Sequence, residues 1–269
     1  MTNPSEKTRA LLEALENYGE YARMASLLQG GKGPVGVFGL HLSHKAHVLA
    51  ALARNGTVLA VASSDAQALA LQEAVASFDV SASLFLPREM PLVHLVSVSR
   101  ERQSQRIAAL ARLCRGEGGA VIVSVGALMQ VLCPRDNFAA ALFSLDIGDE
   151  IPPRKLMEKL IAGGYERTEL VSGPGQTAMR GDILDVFSPD QPHPFRIEFF
   201  GDEIDQIRTF DPESQRSIEQ RRNLILAPAL ETPQDQRVME KGLRAIQGKE
   251  GFAQQMESWS QGLACAGVK

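Results

Sequence analysis

Met179-Arg180-Gly181-Asp182-Ile183-Leu184-Asp185-Val186-Phe187, followed by Phe195-Arg196-Ile197-Glu198-Phe199-Phe200-Gly201-Asp202-Glu203-Ile204-Asp205, reads as two or three alternating strands. Ile183, Val186 or Phe187, Ile197, Phe199 and Ile204 are spaced by charged residues, and Pro189, Pro192 and Pro194 punctuate the turn between the runs. In a half-buried sheet alternate side chains face solvent, so Arg180, Arg196 and Glu198 are expected on a charged outer face. Phe199 and Phe200 must point to opposite faces, one into the core and one outward. Glu198, as a same-face neighbour, is expected to hold Arg180 or Arg196 in place. Such a face suits protein binding and has no catalytic constellation.

Working outward, Phe143–Ile147 suits a strand and Pro153–Ala162 a helix with proline at its start, followed by Gly163-Gly164. This sheet-dominated unit is expected over 143–212, with 213–269 as a connector and the truncated start of a third unit. Within that last stretch, 213–236 reads as linker, and Val238–Met256 has helical character broken by Gly248 and Gly251. Upstream, residues 5–28 place Leu11, Leu12, Leu15, Tyr18, Ala22, Ala25 and Leu28 at helical spacing. Strands at Val35–Phe38, Val58–Ala62, Ala82–Leu86 and Ala120–Val125 then alternate with helices at His44–Arg54, Asp65–Phe78 and Arg100–Arg115. Ser64 or Asp65 is placed to cap the second of these helices. Short buried strands separated by helices predict a parallel, doubly wound sheet over 1–142. The expected fold class is therefore α/β, a parallel-sheet domain followed by a smaller α+β domain and a partial third.

The 269 residues suffice for two or three domains, and 44% apolar with 22% charged is ordinary globular composition. A net charge of −4 excludes a global basic field for nucleic acid. Cys114, Cys133 and Cys265 lack metal-ligand spacing and read as free or buried thiols of a reducing compartment. No apolar run approaches the ~20 residues that span a bilayer, and a cytoplasmic location is expected.

Gly39-Leu40-His41-Leu42-Ser43-His44-Lys45-Ala46 follows the first expected strand, where a phosphate loop G-x-x-x-x-G-K-[ST] would sit. Gly39 and Lys45 match that pattern. His44 replaces the second glycine and narrows any nest of backbone amides, while Ala46 lacks the hydroxyl that ligates magnesium. The loop is expected to be a scaffold that has lost its nucleotide. His41, His44 and His47 have no adjacent carboxylate or cysteine, so solvent-facing histidines are expected and no metal. Asp202-Glu203-Ile204-Asp205 looks like an ATPase acidic box but is expected at the edge of a hairpin. Ser43 and Ser124 have no partners for nucleophilic catalysis.

Arg180-Gly181-Asp182-Ile183-Leu184-Asp185-Val186-Phe187, the Phe195–Asp205 run and Ile207-Arg208-Thr209-Phe210-Asp211 resemble the second domain of the nucleotide-excision-repair protein UvrB. They are closer still to the matching domain of the transcription-repair coupling factors. Gly163-Gly164-Tyr165, Ser217-Ile218-Glu219, Leu224-Ile225-Leu226-Ala227-Pro228 and Val123–Gln130 extend the likeness over about 30–230. UvrB keeps an intact phosphate loop and a tyrosine-rich hairpin that stacks on DNA bases. Here the loop is eroded, and Pro87–Arg106, the matching region, contains no Phe, Trp or Tyr. The resemblance therefore implies an amino-terminal, UvrB-like module of a coupling factor, cut inside its third domain.

By the same resemblance the partner is UvrA, contacted by Arg180, Arg196 and Phe200, and the module has no catalytic residues. RNA polymerase and double-stranded DNA are expected to bind other domains of the full-length protein, and ATP with magnesium only its motor. The rival expectation is an ATP-dependent, UvrB-like helicase. A third is direct DNA binding by a basic face of Arg100, Arg102, Arg106, Arg112 and Arg115, although such runs commonly pair with neighbouring acids.

Overall fold

The computed structural model describes residues 6–31, 33–88 and 100–231. The amino-terminal part comprises α1 (Glu6–Glu16), α2 (Gly19–Gln29), α3 (Leu42–Ala53), β1 (Thr57–Ala62), α4 (Asp65–Ala76), β2 (Ala82–Phe85), α5 (Arg100–Arg115), β3 (Gly119–Ser124), α6 (Val125–Leu128) and α7 (Arg135–Ala141). Its three strands are parallel in the order β1-β3-β2. All six residues of β3 are buried, as its unbroken apolar run requires of a central parallel strand. Ser64 caps α4, its hydroxyl accepting from the Gln67 amide.

Two sequence expectations fail here. The single helix over 5–28 is two helices, because Tyr18 adopts an extended conformation between the poor helix formers Asn17 and Gly19. Bending there lets Leu12 and Tyr21 both reach the core shared with α3. Val35–Phe38 forms no strand. Pro34 offers no amide, Gly36 and Gly39 flank the apolar pair, and Phe38 is 92% exposed. The strand that was expected to lead into Gly39–Ala46 is therefore absent, and β1 is left at the edge of its sheet.

The remainder comprises β4 (Phe143–Asp146), α8 (Pro153–Ala162), β5 (Glu166–Arg167), β6 (Gln176–Arg180), β7 (Ile183–Val186), β8 (Phe195–Phe200), β9 (Glu203–Phe210), β10 (Ser217–Arg221) and β11 (Asn223–Leu226). Six strands lie in the order β10-β9-β8-β7-β6-β5, antiparallel except for β5 with β6, and β11 pairs with β4 separately. Residues 213–231, read from sequence as linker, thus supply two strands of these sheets. Leu156, Met157 and Leu160 of α8 pack with Leu184, Val186, Phe195, Ile197, Phe199, Ile204 and Ile207 on one face of the large sheet. The alternation in the sequence is realised as that buried face. Gly164 closes the unit: its φ is +94°, and a Cβ there would lie 2.3 Å from Leu230 Cγ.

Helix α5 joins the two parts. Ile107 and Ala111 pack with Phe138 and Ala227, and Gln103 Nε2 donates to the Ala229 carbonyl at 3.0 Å. Arg106 is fully buried, forks onto the Glu231 carboxylate, donates to the Leu86 carbonyl and lies 4.0 Å above the Phe85 ring. Arg115 Nη1 reaches Asp190 at 2.7 Å and Arg100 Nη2 reaches Glu166 at 2.7 Å. Cys114 and Cys133 are free and share the cluster beneath α5, whereas Cys265 and the helix expected at 238–256 lie outside the described residues. Among the described residues no helix is long and apolar enough to cross a membrane.

Candidate protein-docking face

Two tight hairpins shape the outer face of the large sheet. Arg180 pairs with Ile183 across Gly181-Asp182, and Phe200 pairs with Glu203 across Gly201-Asp202. Gly181 and Gly201 have φ of +60° and +66°, the left-handed conformation that a two-residue loop demands. Both partner-type residues therefore end a strand immediately before a Gly-Asp turn. With β6 through β9 antiparallel in sequence order, both turns lie at the same end of the sheet.

Phe199 points into the core and Phe200 is 82% exposed, as alternation required. That ring takes no part in the core and stands out at a tight turn. Arg180 is 51% exposed and donates one hydrogen bond from Nη2 to Asp185 Oδ2 at 2.9 Å. Arg196 differs. Its side chain is only 16% exposed and grips Asp185 with Nε at 2.7 Å and Nη2 at 2.9 Å. Its Nη2 also reaches Gln215 Oε1 at 3.1 Å, and the guanidinium lies 4.4 Å above the Phe210 ring. The Asp185 hydrogen bond holds the Arg196 proton more tightly than usual, against the opposing cost of burial.

Glu198 does not hold either arginine. It pairs with Arg208 at 2.9 Å, its diagonal neighbour on β9, because the register sets Arg196 opposite Asp185 and Arg208. Sequence reasoning missed Asp185, whose carboxylate is 1% exposed, and Gln215. Asp185 was detectable in part: flanked by the core residues Leu184 and Val186, it had to share the face of Arg196. The strand register that sets the two side by side is not written in either segment alone. Gln215 carried no signal; it sits at φ +59° in the turn before β10 and donates from Nε2 to the Pro212 carbonyl at 2.8 Å.

The loop at Gly39–Ala46 is not brought to this face. Gly39, His44 and Lys45 are exposed and Ala46 is fully buried. Lys45 borders a mainly apolar groove walled by Val37, Leu40, Leu42, Val61 and Leu71, with Ser63 and Gln67 as its other polar side chains. His47, expected in solvent, is half-buried: it stacks on Phe78 at 5.0 Å and its Nε2 lies 2.9 Å from the Leu11 carbonyl. Among the described residues no group of three His, Cys, Asp or Glu is placed to hold a metal ion. Glu203 and Asp205, in the stretch that looked like an acidic box, are exposed on β9 beside the turn, as expected of a hairpin edge.

Residues 143–231 match the UvrB interaction domain. The chain is 34% identical over 167 residues to the transcription-repair-coupling factor of Bacillus subtilis (strain 168), covering 61% of this chain and 14% of that protein. It is 33% identical over 222 residues to the transcription-repair-coupling factor of Myxococcus xanthus, covering 78% of this chain and 18% of that protein. UvrABC system protein B of Kosmotoga olearia is 37% identical over 126 residues, 47% of this chain and 19% of that protein. The chain thus spans less than a fifth of the length of each of these relatives.

Proposed function

We propose that this chain, whose residues 143–231 belong to the UvrB interaction domain family, is a non-catalytic recruitment module of a transcription-repair coupling factor. In this reading it binds UvrA through the outer sheet face and so delivers nucleotide-excision repair to lesions that stall RNA polymerase. Residues 1–142 serve as a degenerate, helicase-like scaffold, and 143–231, with β10 and β11 as its last strands, holds the UvrA contacts. Polymerase, duplex DNA, ATP and magnesium are matters for other parts of the full-length protein.

The observation that carries the reading is the pairing of Arg180 and Phe200 at adjacent turns of one rigid sheet, both outward. Guanidinium and ring together form the arginine–aromatic combination typical of binding hot spots. Calorimetric titration of UvrA tests it. Arg180→Ala and Phe200→Ala should each weaken binding by roughly 1–3 kcal/mol, the range for a central contact residue. Unchanged affinity in both variants, with the fold intact, would remove the assignment.

The identity with UvrABC system protein B favours a second reading, an ATP-dependent, UvrB-like helicase. Fluorescence titration with nucleotide, with and without magnesium, separates the two. The apolar groove around Lys45 supports the recruitment reading, whereas micromolar ATP affinity would overturn it.

A further inference from the structure

Two arginines on the outer face share one carboxylate, and they are not equivalent. Asp185 lies almost wholly out of solvent and accepts three hydrogen bonds, two from Arg196 and one from Arg180. Arg196 supplies a parallel fork onto it, the most directional form of this pairing. Its remaining contacts are also internal: Nη2 to Gln215 Oε1, Nη1 to the Gln215 carbonyl at 3.4 Å, and the Phe210 ring beneath. Every nitrogen of that guanidinium thus faces a partner from this chain. Arg180 gives the shared carboxylate a single Nη2 bond, and its side chain is half-exposed.

We infer that Asp185, locked by an Arg196 that Gln215 holds in turn, is the positioning residue that aims Arg180 at the partner, and that Arg196 acts through Asp185 without touching the partner itself. The inference rests on the recruitment reading above and divides its site into one contact arginine and one supporting arginine. Charge agrees with that division. One carboxylate offsets one of the two cations, leaving a single positive charge on the exposed arm. A complementary partner surface offers a carboxylate to Arg180 beside an apolar recess for Phe200.

A double-mutant cycle on UvrA binding decides it, using wild type, Arg180→Ala, Arg196→Ala and both together. Arg180→Ala should weaken binding about tenfold or more. Arg196→Ala should cost a comparable factor alone and less than about twofold when Arg180 is already alanine. Because Arg196→Ala strips a buried carboxylate of its fork, Arg196→Lys provides a milder variant that keeps the charge, with thermal melting as the check on folding. Lysine cannot fill the Nε and Nη2 positions together, so the salt dependence of binding should fall in Arg196→Lys as it does in Arg180→Ala. A role confined to stability would leave that salt slope unchanged.

The outcomes separate. No binding by the wild-type chain overturns the recruitment reading and this inference with it. Binding that is indifferent to Arg180→Ala removes Arg180 as the contact and with it the positioning role. Binding with independent, multiplying losses from Arg180→Ala and Arg196→Ala overturns the positioning role alone, because Arg196 would then touch the partner directly.

Discussion

Helix α5 and the outer face of the six-stranded sheet are both rich in arginine, and the fold uses them in opposite ways. On α5, Arg100, Arg106 and Arg115 reach across to Glu166, Glu231 and Asp190, and Arg112 donates to Ser81, Ser83 and the Gly118 carbonyl. In a run that resembles a nucleic-acid stripe, three arginines reach the second part of the molecule and Arg112 ties α5 to its own part. On the sheet, two buried or half-buried partners satisfy Arg196, and Arg180 is left reaching outward. What distinguishes Arg196 from Arg180 is therefore how much of the guanidinium tertiary folding occupies, since both reach the same buried carboxylate but only Arg196 is engaged at every nitrogen. Residue type and spacing do not decide it.

The sharpest way to break this comparison is Arg106→Ala. Removing one member of a buried pair typically costs about 3–5 kcal/mol, and here it leaves the Glu231 carboxylate with only the more distant Arg88, at 4.0 Å. Urea denaturation should show that loss, whereas replacing both partners by apolar residues of similar volume should cost far less. A loss below about 1 kcal/mol, the range of exposed pairs, would place α5 with the surface arginines after all.

The sequence made the sheet face legible because its signal is local. Alternation sorts Phe199 from Phe200 and sets Arg180, Arg196 and Glu198 on one side, as the structure has them. Helix α5 and α8 were legible to their ends for the same reason, a run of good helix formers between breakers. The failures involve distant partners. Val35–Phe38 is apolar enough for a strand but finds no ladder, and Glu198 prefers Arg208 once the register is set. The Arg106–Glu231 and Arg115–Asp190 pairs join residues so far apart in sequence that no local pattern could announce them.

A smaller effect is expected at the same joint. Tyr165 is fully buried; its hydroxyl donates to the Ala227 carbonyl at 2.6 Å and lies 3.3 Å from Ser188 Oγ, which donates to Asp190 at 2.5 Å. Burial, the largest influence, pushes this phenol well above its ordinary pKa of about 10. An acid whose folded pKa is raised contributes stability that is whole below the unfolded value and is lost as pH climbs through it. Wild-type stability should decline above about pH 10 from this group, and the decline should be shallower in Tyr165→Phe. At neutral pH the same variant should lose about 1–2 kcal/mol, because the Ala227 carbonyl gives up its donor. An unaltered alkaline slope in paired denaturation curves would mean that Tyr165 is not sealed at the joint.

Arg180→Ala should change stability least, and that makes it the most useful member of the series. Its single bond to Asp185 comes from a half-exposed side chain, and Asp185 keeps both Arg196 bonds when it is lost. Pairs with an exposed arginine of this kind contribute about 0–1 kcal/mol, so the unfolding free energy should stay within about 1 kcal/mol of wild type. The contrast with Arg106→Ala is then nearly the whole range available to a single arginine. A residue that folding hardly needs, at the same end of the sheet as an exposed phenylalanine, is free to meet a partner. If Arg180→Ala instead unfolds as readily as Arg106→Ala, the outer face is structural throughout. The distinction between the two arginine sets would then disappear.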